Sequence, residues 1–336
     1  MAQQHGLLSI RGIDIALQRT RDSIAMIDLL MLILDSPFLQ RALVGAFLIA
    51  IVASSSGTFL VFRGLSFMTS GAAHAALGGA ALGFYLQATG IAPWFDPVIG
   101  ALLFAVLVSV VTGYAGESGI AEKMEVAVGV SFAFSMSFAV FLMYYIPSQD
   151  VLRIWAYLVG DILLLTDFDI ISLAATTVIL VFIMILFGKE FIYVSVDMEG
   201  SIAHGMNARA YHYLMLIISA LAIALATKAV GAILVYAIMV APAAASNEVL
   251  RSVRSVILAV FCIALLSELA GISLSFIIRV SPSAVAGVIA SLSYIAGLYV
   301  KRARQHVGLD ELEKELEKHQ PSLTPSMPPS NHHHSH

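Results

Sequence analysis

The chain has 336 residues, of which 59% are hydrophobic and only 12% charged, with a formal net charge of −4 and a mean hydropathy of +0.91. Ordinary soluble domains are about 25% charged, so this composition excludes a soluble domain with a lone anchor, leaves no basic surface for nucleic acid, and predicts a polytopic membrane protein. A single cysteine, Cys262, excludes an internal disulfide and a cysteine-based metal cluster.

The N-terminal segment, residues 1–37, begins mixed and polar and shows no pattern of a cleavable signal peptide. Within it, residues 23–34 are too short to cross a bilayer and are interrupted by Asp28, which predicts an interfacial helix. The middle of the chain, residues 38–300, is a series of apolar runs punctuated by charge. The first covers residues 42–62, between Arg41 and Arg63. The second and third share residues 64–116 and are split by QATGIAPWFDP, where Gly90, Pro93 and Pro97 break helices. The fourth is 126–146. Residues 151–165 are too short to span and predict a partial or re-entrant helix. The fifth is 168–187, the sixth and seventh are 210–227 and 229–247 with Lys228 between them, the eighth is 255–278, and the ninth is 283–300. The expected fold is all-α: a helical bundle of about nine membrane spans, with eight to ten possible.

Lys and Arg set the orientation. Nine spans place Arg63, Lys123, Lys189, Arg209, Arg251, Arg254, Lys301, Arg302 and Arg304 on the cytoplasmic side. The opposite side then holds Arg153, Lys228, Arg279 and the N-terminus. Lys228 reads as a snorkelling residue at the outer end of a helix hairpin. Residues 301–336 are different in kind: a charged helix, ELEKELEK, then prolines and NHHHSH, which cannot build a core and predict disorder. His332, His333, His334 and His336 could bind a metal, or be a low-complexity accident.

Of the ten histidines, His74 alone falls well inside an apolar run. Its imidazole either lines the route of a divalent cation or bonds across a tight interface made by Gly71, Ala75, Gly78 and Gly79. Glu268 lies near the middle of the eighth run, where a carboxylate costs about 2.5–3.5 kcal/mol on insertion scales. It faces either a water-filled pathway or a buried hydrogen bond. Asp161, after Gly160, either lines an outer mouth or caps a helix. Between the fifth and sixth runs, SVDMEGSIAHGMNARAYHYL reads as a short amphipathic helix, with Met198, Ile202 and Met206 at spacing four, Asp197 as its cap, and Gly205 with Asn207 at its end.

Three segments in order carry a resemblance. Arg63 leads through an apolar stretch to AAHAALGGAALG, with His74, Ala75, Gly79, Ala81 and Gly83. Asp197, Met198, Glu199, Ala203 and Gly205 follow in the polar loop, and AVGAILVYAIMVAPAAA follows at residues 229–245. In these segments, over about residues 38–300, the chain resembles the membrane permeases of the metal-importing ABC transporters, the zinc, manganese and iron family. The chain departs from that family's pattern at Thr69 and Ser70, where the family commonly has Gly-Asp, and at Gly78, where it has Pro. A hydroxyl, Ser70, therefore replaces the carboxylate one turn before His74.

The resemblance implies a multi-pass protein of the cytoplasmic membrane, embedded in lipid, that passes a divalent cation by alternating access. It also implies a second permease copy, cytoplasmic ABC ATPase subunits, and an extracytoplasmic metal-binding protein. The cation route would run past Ser70, His74, Asp161 and Glu268. The ATPase would dock on Asp197, Met198, Glu199, Ile202, Ala203, Gly205 and Arg209. No phosphate-binding G-x-x-x-x-G-K-[ST] loop occurs, so ATP would be used by the partner, and no resident cofactor is expected. The rivals are a gradient-driven secondary transporter, which would show repeats and broken helices, and an intramembrane hydrolase built on residues 54–57 and His74.

Overall fold

The computed structural model describes residues 36–116, 121–160 and 162–319. The expected interfacial helix at 23–34, Asp161, and the histidines of the tail lie outside these residues. Among the described residues every regular element is helical.

Helix α1 (Pro37–Phe62) opens with a proline, whose missing N–H costs nothing in the first turn. It contains one wide turn of π-helix over Ala53–Gly57. A Cβ on Gly57 would stand 2.5 Å from the Met239 carbonyl oxygen, so this small-residue turn lets two backbones approach. Helix α2 (Ser66–Ala88) follows a break at Gly64, which has φ +71°. The predicted breakers Gly90, Pro93 and Pro97 separate it from α3 (Pro97–Gly116), whose first turn is capped when Asp96 Oδ1 accepts from the Val98 N–H at 2.8 Å.

Helix α4 (Ala121–Met143) leads to the short α5 (Ser148–Val159), which ends at Gly160, φ +69°. This is the partial helix expected over 151–165. Helix α6 (Asp167–Val196) runs 30 residues, about 45 Å at 1.5 Å per residue, and so overshoots the apolar run 168–187. A reciprocal capping box starts it: Asp169 N–H donates to Thr166 Oγ1 and Thr166 N–H donates to Asp169 Oδ2. Then come α7 (Met198–Ala203), α8 (Ala208–Val230), α9 (Val235–Val249), α10 (Val253–Ile278) and α11 (Pro282–His319).

Among the described residues seven helices are each long and apolar enough, by length and composition, to cross a membrane: α1, α3, α4, α6, α8, α10 and α11. The expected count of about nine is not confirmed. Helix α9 has 15 residues, about 22 Å, short of the roughly 30 Å hydrocarbon core. Helix α2 has 23 residues but is rich in Gly and Ala and carries Ser66, Thr69, Ser70 and His74. It is wrapped by protein rather than lipid, so it does not need high hydropathy. Lys228 does not divide two spans either. Helix α8 continues through it to Val230, and the turn falls at Gly231, φ +96°. The charged segment after residue 300 is no separate element, because α11 runs unbroken to His319.

Burial sorts the helices. The most apolar windows of α1 and α8 are 72% and 67% buried, those of α4 and α6 only 22%. The centre is therefore α1, α2 and α8, with α4 and α6 facing outward. Helix α2 packs against α3 and α4 through its glycines. A Cβ on Gly79 would meet the Gly100 oxygen at 1.9 Å and one on Gly83 would meet the Pro97 Cα at 2.4 Å, so α2 and α3 touch backbone to backbone. Gly71 and Gly78 make the equivalent approach to Val128 and Ser135 of α4. Small-residue packing of this sort is what holds helices together where lipid removes the hydrophobic drive.

Candidate functional site

His74 lies on α2 and is 7% exposed. Its Nδ1 is 2.8 Å from the Ser70 carbonyl oxygen and 3.5 Å from Ser70 Oγ, and its ring lies tilted against Phe132 of α4, with 4.3 Å between centroids. A carbonyl only accepts, so the proton sits on Nδ1 and the lone pair on Nε2 is left available. The structure thus brings Ser70 and His74 together on one turn, at the α2–α4 contact. Sequence reasoning singled out His74 alone, but His212 of α8 is buried as well, at 1% exposure.

Glu268 lies on α10 with no exposed surface, and neither carboxylate oxygen has a hydrogen-bond partner among the described residues. An ionised carboxyl in that position is costly without a donor or a cation. Ser273, a hydroxyl five residues further along the same helix, supplies no such bond; it donates to the Leu269 carbonyl. Glu268 makes no hydrogen bond to His74, and α9 and the end of α1 each pack on both of their helices. Among the described residues no cluster of three or more His, Cys, Asp or Glu side chains could hold a metal ion.

At the face expected outside, a cavity of about 510 Å³ opens between α2, α3, α5 and the start of α6, with Asp96, Arg153, Tyr157, Thr166 and Lys228 in its walls. Lys228 Nζ bonds Asp169 Oδ1 at 2.5 Å, with Asp169 5% exposed. The snorkelling role read from the sequence is therefore replaced by an ion pair. Thr166-x-x-Asp169 is a capping-box spacing, and that signal could have found the acid. The turns of α5 and α8 cross beside this cavity. Ala232 N–H donates to the Tyr157 carbonyl at 2.9 Å, and a Cβ on Gly231 would stand 2.3 Å from the Val159 oxygen.

At the opposite end, α7 is the short helix expected there, although Met206 falls beyond its last turn. Asp197 Oδ1 accepts from Gly200 N–H at 2.8 Å, and a Cβ on Gly200 would strike that carboxylate at 2.2 Å. Gly205, φ +81°, ends the motif, and Asn207 caps α8 by accepting from Ala210 N–H. Glu199, Ile202, Ala203, Gly205 and Arg209 are exposed, Ile202 at 49%, while Ser201 turns inward. The long α6 thus carries a short capped helix to the tip of the molecule and presents one of its faces outward.

Sequence missed what holds this helix. Arg63, at the end of α1, donates through Nη1 to the Val194 carbonyl and through Nη2 to Met198 Sδ at 2.9 Å. Burial lowers the pKa of its guanidinium, but from so high a starting value that the charge persists.

These features have counterparts in known proteins. The profile of the ABC 3 transport family matches residues 35–301. The manganese import system permease protein ScaB of Streptococcus gordonii is 33% identical over 225 residues, 67% of this chain and 77% of that protein. The manganese transport system membrane protein MntC of Listeria monocytogenes is 28% identical over 207 residues, 62% of this chain and 70% of its own length. Among solved structures, PsaBC from Streptococcus pneumoniae in complex with Fab superposes with a TM-score of 0.72 at 25% identity, covering 85% of this chain and 99% of the other. The relatives are permease subunits rather than enzymes, and the seven apolar helices fit a multi-pass membrane protein. With the match running over nearly all of the helical bundle, the chain belongs to the ABC 3 transport family.

Proposed function

We propose that this chain is the permease subunit of an ATP-driven importer of a divalent metal cation, drawn from manganese, zinc and iron. Two copies would form the channel and two ATPase subunits would dock beneath them. A metal-binding protein outside would deliver the cation. The observation that carries this reading is α7, a capped helix held at the end of α6 with Glu199, Ile202 and Arg209 exposed. It has no evident use in a gradient-driven transporter. ATP binding would close the ATPase pair and α7 would pass that movement on. The bundle would then open outward, and hydrolysis would return it.

The cation route would use Ser70, His74, Asp161 and Glu268. His74 offers a lone pair on Nε2, and Glu268 offers a buried carboxyl that lacks a donor. Residues 332–336 would add nothing to the route itself. Manganese is the first metal to test, because ScaB and MntC are named for it.

The test has two arms. In mild detergent the chain should bring down an ATPase subunit, and Glu199→Ala with Arg209→Ala should weaken that association. In vesicles holding the whole complex, His74→Ala and Glu268→Gln should each reduce manganese uptake about tenfold or more at unchanged protein abundance. Uptake that merely follows abundance in both variants would make them packing residues and remove them from the route.

A further inference from the structure

We infer that Arg63 is the strut that couples the docking helix to the helix carrying His74. The inference rests on the docking role proposed for α7 and adds to it a residue outside both the proposed cation route and the proposed docking set. Arg63 stands at the junction of α1 and α2. Its two guanidinium nitrogens reach the last turn of α6, at Val194, and the first residue of α7, at Met198. Both partners are about 130 residues away in sequence. A planar, permanently charged fork is suited to holding two acceptors at once, which a lysine ammonium on a flexible stem does less well.

Its position converts this bond into a connection. One residue further along, Gly64 has φ +71° and open space around it, a hinge immediately before α2. Helix α2 then runs without a break to His74. Displacement of α7 therefore reaches the base of α2 directly through this side chain, and the hinge lets α2 change its angle in response.

Room for that movement exists beside the α9–α10 junction. A cavity of about 330 Å³ separates the ends of α1 and α6, at Phe62, Ile192 and Ser195, from the α9–α10 junction at Asn247, Leu250 and Arg251. The buried Ser195 hydroxyl facing this region has no partner. The cytoplasmic end of the block tied together by Arg63 thus borders open space toward the α9–α10 junction, whereas the glycine contacts bind α2 to α3 and α4.

Arg63→Gln, Arg63→Lys and Met198→Leu test this in the assembled complex and in the isolated permease. In the complex, R63Q should leave ATP hydrolysis within about twofold and cut manganese transported per ATP about tenfold. R63K should recover part of that loss. M198L should lower the ratio about threefold, and adding it to R63Q should change nothing more, since both remove one connection. In the isolated permease, R63Q should speed hydrogen exchange of the amides of residues 198–206 about fivefold or more, a readout that needs no ATPase. Wild-type coupling in R63Q, or additive effects of R63Q and M198L, would overturn the strut. So would unchanged exchange, even if no ATPase were recovered and the docking reading failed. If R63Q does not fold, M198L and R63K decide the question by the same measures.

Discussion

The two ends of the bundle are fastened by different chemistry. At the outer end, α5, α6 and α8 are joined by opposite charges and by backbone contact: Lys228 with Asp169, the Thr166–Asp169 box, and the abutting turns at Gly160 and Gly231. At the cytoplasmic end, a guanidinium bonds a carbonyl and a thioether, beside a cavity and below a glycine hinge. Charge pairs with buried acids are costly to separate. Bonds to a carbonyl and a sulfur can be exchanged for others as helices slide. The comparison teaches that rigidity is placed where the fold is sealed and compliance where the ATPase is proposed to dock.

The largest effect should come from the glycine crossing. Gly231→Ala combines a strained φ of +96° with a Cβ 2.3 Å from the Val159 oxygen. It should abolish folded protein, read as loss of the monodisperse peak in detergent. The same substitution at Gly129, which meets nothing within 4 Å, should be silent. A folded G231A protein would break the claim that the outer end is sealed.

A smaller effect is expected at Asp169. Asp169→Ala leaves Lys228 without its acid and removes the α6 cap, for a loss of about 2–4 kcal/mol in stability. Thermal unfolding in detergent measures it, and Asp169→Asn, which keeps part of the cap, should lose less. An equal loss in both would shift the stabilisation from the cap to the charge. Smaller still is the effect of the exposed pair at the cytoplasmic end, where Lys301 bonds Glu248 on the end of α9. Lys301→Ala should cost under about 1 kcal/mol.

The smallest effect is expected from the tail. Truncation after Gln305 keeps Arg304, which donates to the Val249 carbonyl at 3.0 Å, and should leave uptake unchanged. Inhibition by preloaded cytoplasmic metal should also match the full chain; relief of that inhibition would assign the histidines of the tail to sensing instead.

Much of this architecture was legible because lipid imposes a simple code. Charges and prolines marked helix ends, and the turn after α10 fell at RVSPS, where Arg279 takes a left-handed conformation. Asp197, Gly205 and Asn207 announced α7 and its limits, since caps are local signals. The span count is not confirmed at α2, where burial substitutes for hydropathy, and at α9, which has 15 residues. Lys228 misled for a related reason: a charge in an apolar run looks like a boundary until its partner is known, and Asp169 lies 59 positions away. The pair formed by Arg63 and Met198 was equally hidden, because both residues were read for other roles. His74 could be located from sequence, but its neighbour Phe132 could not, as no local rule relates α2 to α4.

The contact of Gly79 with Gly100 has one more consequence. With no side chains between them, α2 and α3 have nothing to slide on and behave as a single rigid plate. Whatever tilts α2 therefore carries the whole hairpin, including its loop, where Trp94 is 78% exposed. The chain has only two tryptophans, and the other, Trp155, belongs to α5 across the rim. Emission from Trp94, isolated by replacing Trp155 with phenylalanine, would report the hairpin's angle in the unlabelled protein, turn by turn of the transport cycle.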